Sequence, residues 1–193
     1  MVDIAKVKKL ILEQERKFAA QLCRHILHKP TLSSWMIFIP FIFVFYIQDL
    51  MKYKKGKQDY LENFLLTRNK ALNEAEAALA EQRGVNTGSI AEQAELSSEA
   101  KEKYAEFMAA LAAHYSILLQ AEGETYEELL RSAYGRRKNY QAYIDQLAKA
   151  EKALNKALYP GLEDSDEGVS EVVDSIERYS EKIRRADAKM VFA

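Results

Sequence analysis

Leu32-Ser-Ser-Trp-Met-Ile-Phe-Ile-Pro-Phe-Ile-Phe-Val-Phe-Tyr-Ile47 is the stretch on which the reading of the chain turns. Its strictly apolar core, Trp35 to Ile47, is 13 residues long, roughly 20 Å of helix. A hydrocarbon core is roughly 30 Å thick and asks for about 20 residues. Extending the run to Met51 reaches that length only by taking in Ser33, Ser34, Gln48 and Asp49. Apolar runs of about 10 to 14 residues are often buried helices of soluble proteins, but three features set this one apart. It is apolar on every face, so a small bundle would have to enclose it completely. Aromatic residues mark its ends, Trp35 on one side and Tyr46 and Tyr53 on the other, as in interfacial belts. Lys52, Lys54, Lys55 and Lys57 come at once after it, which suits anionic headgroups. The run thus predicts membrane contact by Trp35, Met36, Ile37, Phe38, Ile39, Pro40, Phe41, Ile42, Phe43, Val44, Phe45, Tyr46 and Ile47, with the four lysines on anionic lipid.

The sequence leaves the depth of insertion open. Arg16, Lys17, Arg24 and Lys29 precede the run and four lysines trail it, so the positive-inside rule returns a tie. Basic flanks, a short core and Pro40 near its middle suit a re-entrant wedge. A kinked single span is the competitor, because Trp35 to Tyr53 covers roughly 27 Å of helix. Neither gives a reason to export the C-terminal part of the chain, and residues 53–193 are expected on the cytoplasmic side of the cell membrane.

Outward from the run, residues 1–30 read as a basic amphipathic helix. Ile4, Val7, Ile11, Phe18, Leu22 and Ile26 recur at helical spacing, and Lys6, Lys8, Lys9, Arg16, Lys17 and Arg24 occupy much of the remaining surface. Pro30 ends it, since the residue before a proline is pushed out of the α region. Residues 31–52 form the membrane segment, and residues 53–193 an elongated antiparallel bundle of coiled-coil-like hairpins.

Within that third part, Leu61, Leu65, Leu72, Ala75 and Leu79 alternate three and four apart if Arg68 fills its slot, a heptad seam. Gly84-Val-Asn-Thr-Gly-Ser89 breaks it, and Ser89 with Glu92 offers a capping box for the next helix. That helix carries Tyr104, Phe107, Leu111, Tyr115 and Leu118 on one face. A turn is expected at Gly123, where Thr125 and Glu128 supply another capping box. One helix is then expected from Tyr126 to Leu158, an acidic loop from Tyr159 to Gly168, and a last helix from Val169 to Met190.

Composition agrees with an all-α fold: seven Gly, three Pro and 30% charged residues, rich in helix formers. A net charge of −1 gives no reason to expect a nucleic-acid surface. Cys23 is the only cysteine, which rules out an intrachain disulfide. The charged first thirty residues do not read as a cleavable signal peptide.

Candidate chemistry is thin. His25 and His28 stand at i and i+3 beside Cys23, but a metal site needs further ligands, and neither they nor His114 fit the Glu-x-x-His pattern of di-iron bundles. Ser98-Glu-Ala-Lys101 lacks the companion motifs of acyl-transfer enzymes. No phosphate-binding glycine loop is present. Arg136, Arg137 and Lys138 form a basic patch between Tyr134 and Tyr140, read as a charged face with inward tyrosines. No metal, cofactor, nucleic acid, small-molecule substrate or catalytic group is expected. The sequence therefore points to a non-enzymatic, membrane-anchored helical scaffold or adaptor, whose partners are the lipid bilayer and a second copy or another protein. A pore-forming or membrane-remodelling protein, or an accessory subunit of a larger membrane complex, are the alternatives. Deleting residues 1–57 is expected to leave a soluble helical domain.

Overall fold

The computed structural model describes residues 3–27, 53–158 and 167–193. The apolar run Trp35–Ile47, Lys52 and most of the acidic loop lie outside them. Every regular element among the described residues is an α-helix: α1 (Ile4–Leu27), α2 (Tyr53–Ala80), α3 (Thr87–Glu92), α4 (Ser98–Leu119), α5 (Tyr126–Tyr134), α6 (Arg137–Leu158) and α7 (Glu167–Val191).

The apolar stripe of α1 is used inside the protein. Val7, Ile11, Phe18, Ala19, Leu22 and Cys23 are buried, packed against α2, α4 and α7. Burying the larger of these side chains contributes on the order of 10 kcal/mol before chain entropy is subtracted. This corrects the expectation that the first helix stands apart from the bundle as a membrane-attachment element: the bundle includes α1.

Side-chain pairs fix the helix directions. On α1 and α2, Lys8 meets Asn73 and Glu76, and Phe18 stacks on Phe64 at 5.8 Å, so the two run antiparallel. On α7, Arg184 lies over Phe18 and Tyr179 under His25, again antiparallel to α1. Helix α6 is antiparallel to α7, through Asp145 with Arg185 and Asn155 with Glu177. Helix α4 also opposes α1, through Tyr115 with Glu15 and Lys6 with Glu124 just past its C-terminus. Helices α2 and α4 therefore run the same way, and α3, packed on α4, lies on the return leg between them.

Local signals set the breaks. Asn86, not Ser89, caps the helix after the first break, its Oδ1 accepting from Ser89 N at 3.2 Å. That helix is only the short α3. The long α4 starts at its own cap, where Ser97 Oγ accepts from Ala100 N. At Gly123 the expected turn is present: Thr125 Oγ1 accepts from Glu128 N, and Glu128 Oε2 accepts from Glu124 N. A Cβ on Gly123 would stand 2.8 Å from both Glu128 Cβ and Leu129 N, so only glycine lets the chain approach α5 this closely. The single helix expected over 126–158 is in fact two. Gly135, at φ +65°, sits in the left-handed region that ends helices at low cost only for glycine.

The main core centres on α4, with Phe107, Met108, Leu111, Tyr115 and Leu118 fully buried. A smaller cluster joins Phe18, Ala19, Leu22 and Cys23 of α1 to Phe64 of α2 and Ile176 and Ile183 of α7.

Candidate functional site

Where the five long helices meet, each contributes a polar side chain to one buried cluster. Arg68 of α2 occupies the empty slot in the seam and is 1% exposed. Its Nε lies 3.4 Å from Glu15 Oε2 of α1, and its Nη2 lies 3.6 Å from Glu151 Oε1 of α6. Arg184 of α7 forks onto the same Glu151, Nη1 to Oε2 at 2.6 Å and Nη2 to Oε1 at 2.8 Å. From α4, the Tyr115 hydroxyl donates to Glu15 Oε1 at 2.7 Å. Two guanidinium groups thus face two carboxylates, which leaves the cluster without net charge, the condition under which buried ions are tolerated.

Aromatic faces complete the shell. The Arg68 Cζ sits 4.2 Å from the Phe64 ring centroid and 5.2 Å from that of Phe107, and Arg184 lies 4.8 Å over Phe18, within cation–π range. Burial by itself would raise the Glu151 carboxyl, but Arg184, by charge and hydrogen bonds, and Arg68 hold it below its ordinary value. Burial opposes the Arg184 charge in the same way, and Glu151 more than offsets it. Arg68 Nε and Nη1 make no hydrogen bond; the Nε is held by the longer ion-pair contact alone.

Beside the ions lies a histidine ringed by tyrosines. His114 Nδ1 is 2.7 Å from the Tyr134 hydroxyl and Nε2 is 3.4 Å from that of Tyr126. Its ring stacks on Tyr143 at 4.1 Å. Burial, with the positive charge of Arg184 adding, lowers its pKa to about 3, so it is neutral near pH 7, one nitrogen donating and the other accepting. Burial raises the hydroxyls of Tyr115, Tyr126, Tyr134, Tyr140 and Tyr143, which act as neutral hydrogen-bonding groups.

Arg68, Glu15, His114, Arg184 and their neighbours line a cavity of about 30 Å³, room for one or two waters and far below the several hundred cubic ångströms of a ligand pocket. The cluster can hold helices in register; it has no space to seat a substrate.

The residues singled out from sequence fall elsewhere. Lys54, Lys55 and Lys57 lie in the first turns of α2, at the end where α1 stops. His25 is exposed and stacks on Tyr179 at 4.7 Å, and His28 lies outside the described residues. No group of three potential metal ligands occurs among the described residues. Lys101 bonds Glu92 rather than Ser98. Arg136, Arg137 and Lys138 are exposed, while Tyr134 and Tyr140 turn toward His114. Glu151 was missed, although it occupies a core slot between Leu147 and Leu154 just as Arg68 does between Leu65 and Leu72; a charged residue at a seam position was the available signal.

Fold and site together define an all-α bundle keyed by a buried ion network. No protein-family model matches the chain, and neither curated proteins nor solved structures provide a match.

Proposed function

We propose that the protein is a membrane-anchored helical scaffold or adaptor, with its bundle on the cytoplasmic side of the cell membrane. The observation that carries this reading is the run Trp35–Ile47, apolar on all faces, issuing from a bundle whose core is filled by residues of α1 to α7. Among the described residues no helix is long and apolar enough to cross a membrane, so attachment falls to the run itself. Three of its four trailing lysines fall in the first turns of α2, and a basic cluster following an apolar run in sequence suits anionic headgroups. The cavity beside the ion cluster, about 30 Å³, is too small for a substrate, which favours work done at the surface. Leu66, Ile117 and Met190, each at least 41% exposed, are contact points for a second copy or another protein.

The test is fractionation of the tagged full chain. It is expected to sediment with membranes, resist alkaline carbonate and be released by detergent. The double variant Phe41→Asp/Phe43→Asp is expected to move to the soluble fraction, still folded by circular dichroism. A wild-type chain recovered from cytosol without detergent overturns the reading.

A further inference from the structure

Helices α1 and α4 face one another across the ion cluster, where the Tyr115 hydroxyl meets Glu15, so their outer sides lie on opposite faces of the bundle. The two faces carry opposite charge. On α1, Lys9, Arg16, Lys17 and Arg24 are exposed beside a single exposed carboxylate, Glu13. Lys9 reaches Glu13 only at 4.0 Å, and Arg16, Lys17 and Arg24 form no ion pair among the described residues. On α4, Glu99, Glu102 and Glu106 are exposed on one stripe. Glu102 and Glu106 share Lys103, and Glu99 forms no ion pair among the described residues. The same stripe continues through the exposed Ala109 and Ala113 to Ile117, which is 41% exposed. The α1 face offers a surface groove of about 550 Å³, lined by Ala5 and Leu12 with Lys9 and Arg16 beside them.

The levels of these features match. Arg24 lies nine residues from Glu15 toward Leu27, and Glu106 lies nine residues back along α4 from Tyr115. Three residues the other way bring Leu12 level with Leu118, next to Ile117. Antiparallel helices rise equally per residue. A second copy set beside the first without a vertical shift therefore brings Glu106 opposite Arg24 and Ile117 opposite the groove at Leu12. We propose that copies of this chain associate head to tail, the α4 face of one on the α1 face of the next; this names the partner in the self-associating scaffold above and rests on that reading. Copies attached to one membrane surface share an orientation, so the unshifted register is the one in which they meet. Exposed ion pairs contribute little by themselves. They steer the approach, and burial of Ile117 against Leu12 and Ala5 holds it. Because the two patches differ, the contact is heterologous: a patch stays free at each end, and assembly continues past the dimer.

The experiment measures the mass of the full chain by light scattering in mild detergent at low salt. Species larger than a dimer are expected, shrinking as added salt screens the faces. Arg24→Glu and Glu106→Arg are each expected to weaken assembly, and the double variant Arg24→Glu/Glu106→Arg to restore it. Two further variants each spoil one face, Ile117→Asp on α4 and Arg16→Glu/Arg24→Glu on α1. Each is expected to be monomeric with unchanged circular dichroism. Mixed in equal amounts, they are expected to join through their intact faces into dimers and nothing larger. A wild-type chain that is monomeric at every concentration overturns the proposal. So does a double swap no better than the single reversals, or a mixture that stays monomeric or grows beyond the dimer. Each of these outcomes leaves anchoring intact where the chain still sediments with membranes. A chain that assembles as described but is recovered from cytosol supports the head-to-tail contact and overturns the anchor alone.

Discussion

Glu151 holds two guanidinium groups in a buried, cation–π-lined space, and its removal leaves Arg184 and Arg68 sharing only Glu15. Removing one member of a buried pair strands an uncompensated charge, which costs about 3–5 kcal/mol, whereas replacing both by apolar residues is close to neutral. Glu151→Leu and Arg184→Met are each expected to cost about that much in urea unfolding of the full chain in mild detergent. The double variant keeps Arg68 and Glu15 balanced and is expected to lose less than either single variant. Additive losses would mean that the two residues act independently. His114 offers a second residue-level test. Its folded pKa of about 3 lies below the ordinary value of about 6.5, so the unfolded chain takes up the proton first. Its contribution is complete above about pH 6.5 and is lost as pH falls toward 3, at up to ~1.4 kcal/mol per pH unit. Charges and hydroxyls facing it, from Arg184, Tyr126, Tyr134 and Tyr143, do not themselves titrate in that window. Asp187 and Glu177, raised by burial, act with the opposite sign but are common to both proteins. His114→Gln, which donates and accepts without titrating, is therefore expected to flatten the dependence of the unfolding midpoint between pH 6.5 and 4.5. An unchanged slope would show that His114 is charged in the folded protein.

At the scale of elements, much was legible because helix periodicity is local. The stripe Val7, Ile11, Phe18, Leu22 marked the α1 helix inside residues 1–30, and Thr125 with Glu128 marked the start of α5 beside Gly123. What the sequence concealed depended on partners or on backbone geometry. Gly135 lies inside a continuous apolar pattern, and only its positive φ shows that the chain stops there and restarts as α6. Asn86 and Ser97 displaced Ser89 as caps because the chain makes a second turn before α4, a choice fixed by where α3 packs. The destination of the α1 stripe was equally invisible. An amphipathic face of this kind serves a membrane surface or a protein core, and only the facing residues Phe64, Phe107 and Ile183 decide between them. The ion cluster was half legible: Arg68 stood out as a gap in a seam, while Glu15 and Arg184 gave no pattern until five helices met.

At the scale of the whole molecule, the position of α1 changes which truncation separates bundle from anchor. Removing residues 1–57 takes away Val7, Ile11, Phe18 and Leu22 and strips Glu15 from Arg68 and Tyr115. Losing one buried Leu, Ile or Phe already costs about 2–5 kcal/mol, and a domain's whole stability is roughly 5–15 kcal/mol. That truncation is therefore expected to give an unfolded or aggregated product, contrary to what a free-standing N-terminal helix would imply. The informative deletion is internal. Because α1 and α2 lie side by side at the end where Leu27 and Tyr53 meet the interval, residues 28–52 can be replaced by a six-residue Gly/Ser linker, whose r.m.s. span of roughly 12–15 Å exceeds the roughly 8–10 Å between packed helix axes. The excised chain is expected to be soluble without detergent and monodisperse, with helical content and a cooperative urea transition matching the full chain in detergent. If it precipitates or melts without cooperativity, the apolar run Trp35–Ile47 is needed by the bundle itself, and the anchor reading falls. If it folds, the same protein lacking its attachment becomes the reagent with which partners of the bundle surface can be separated from lipids.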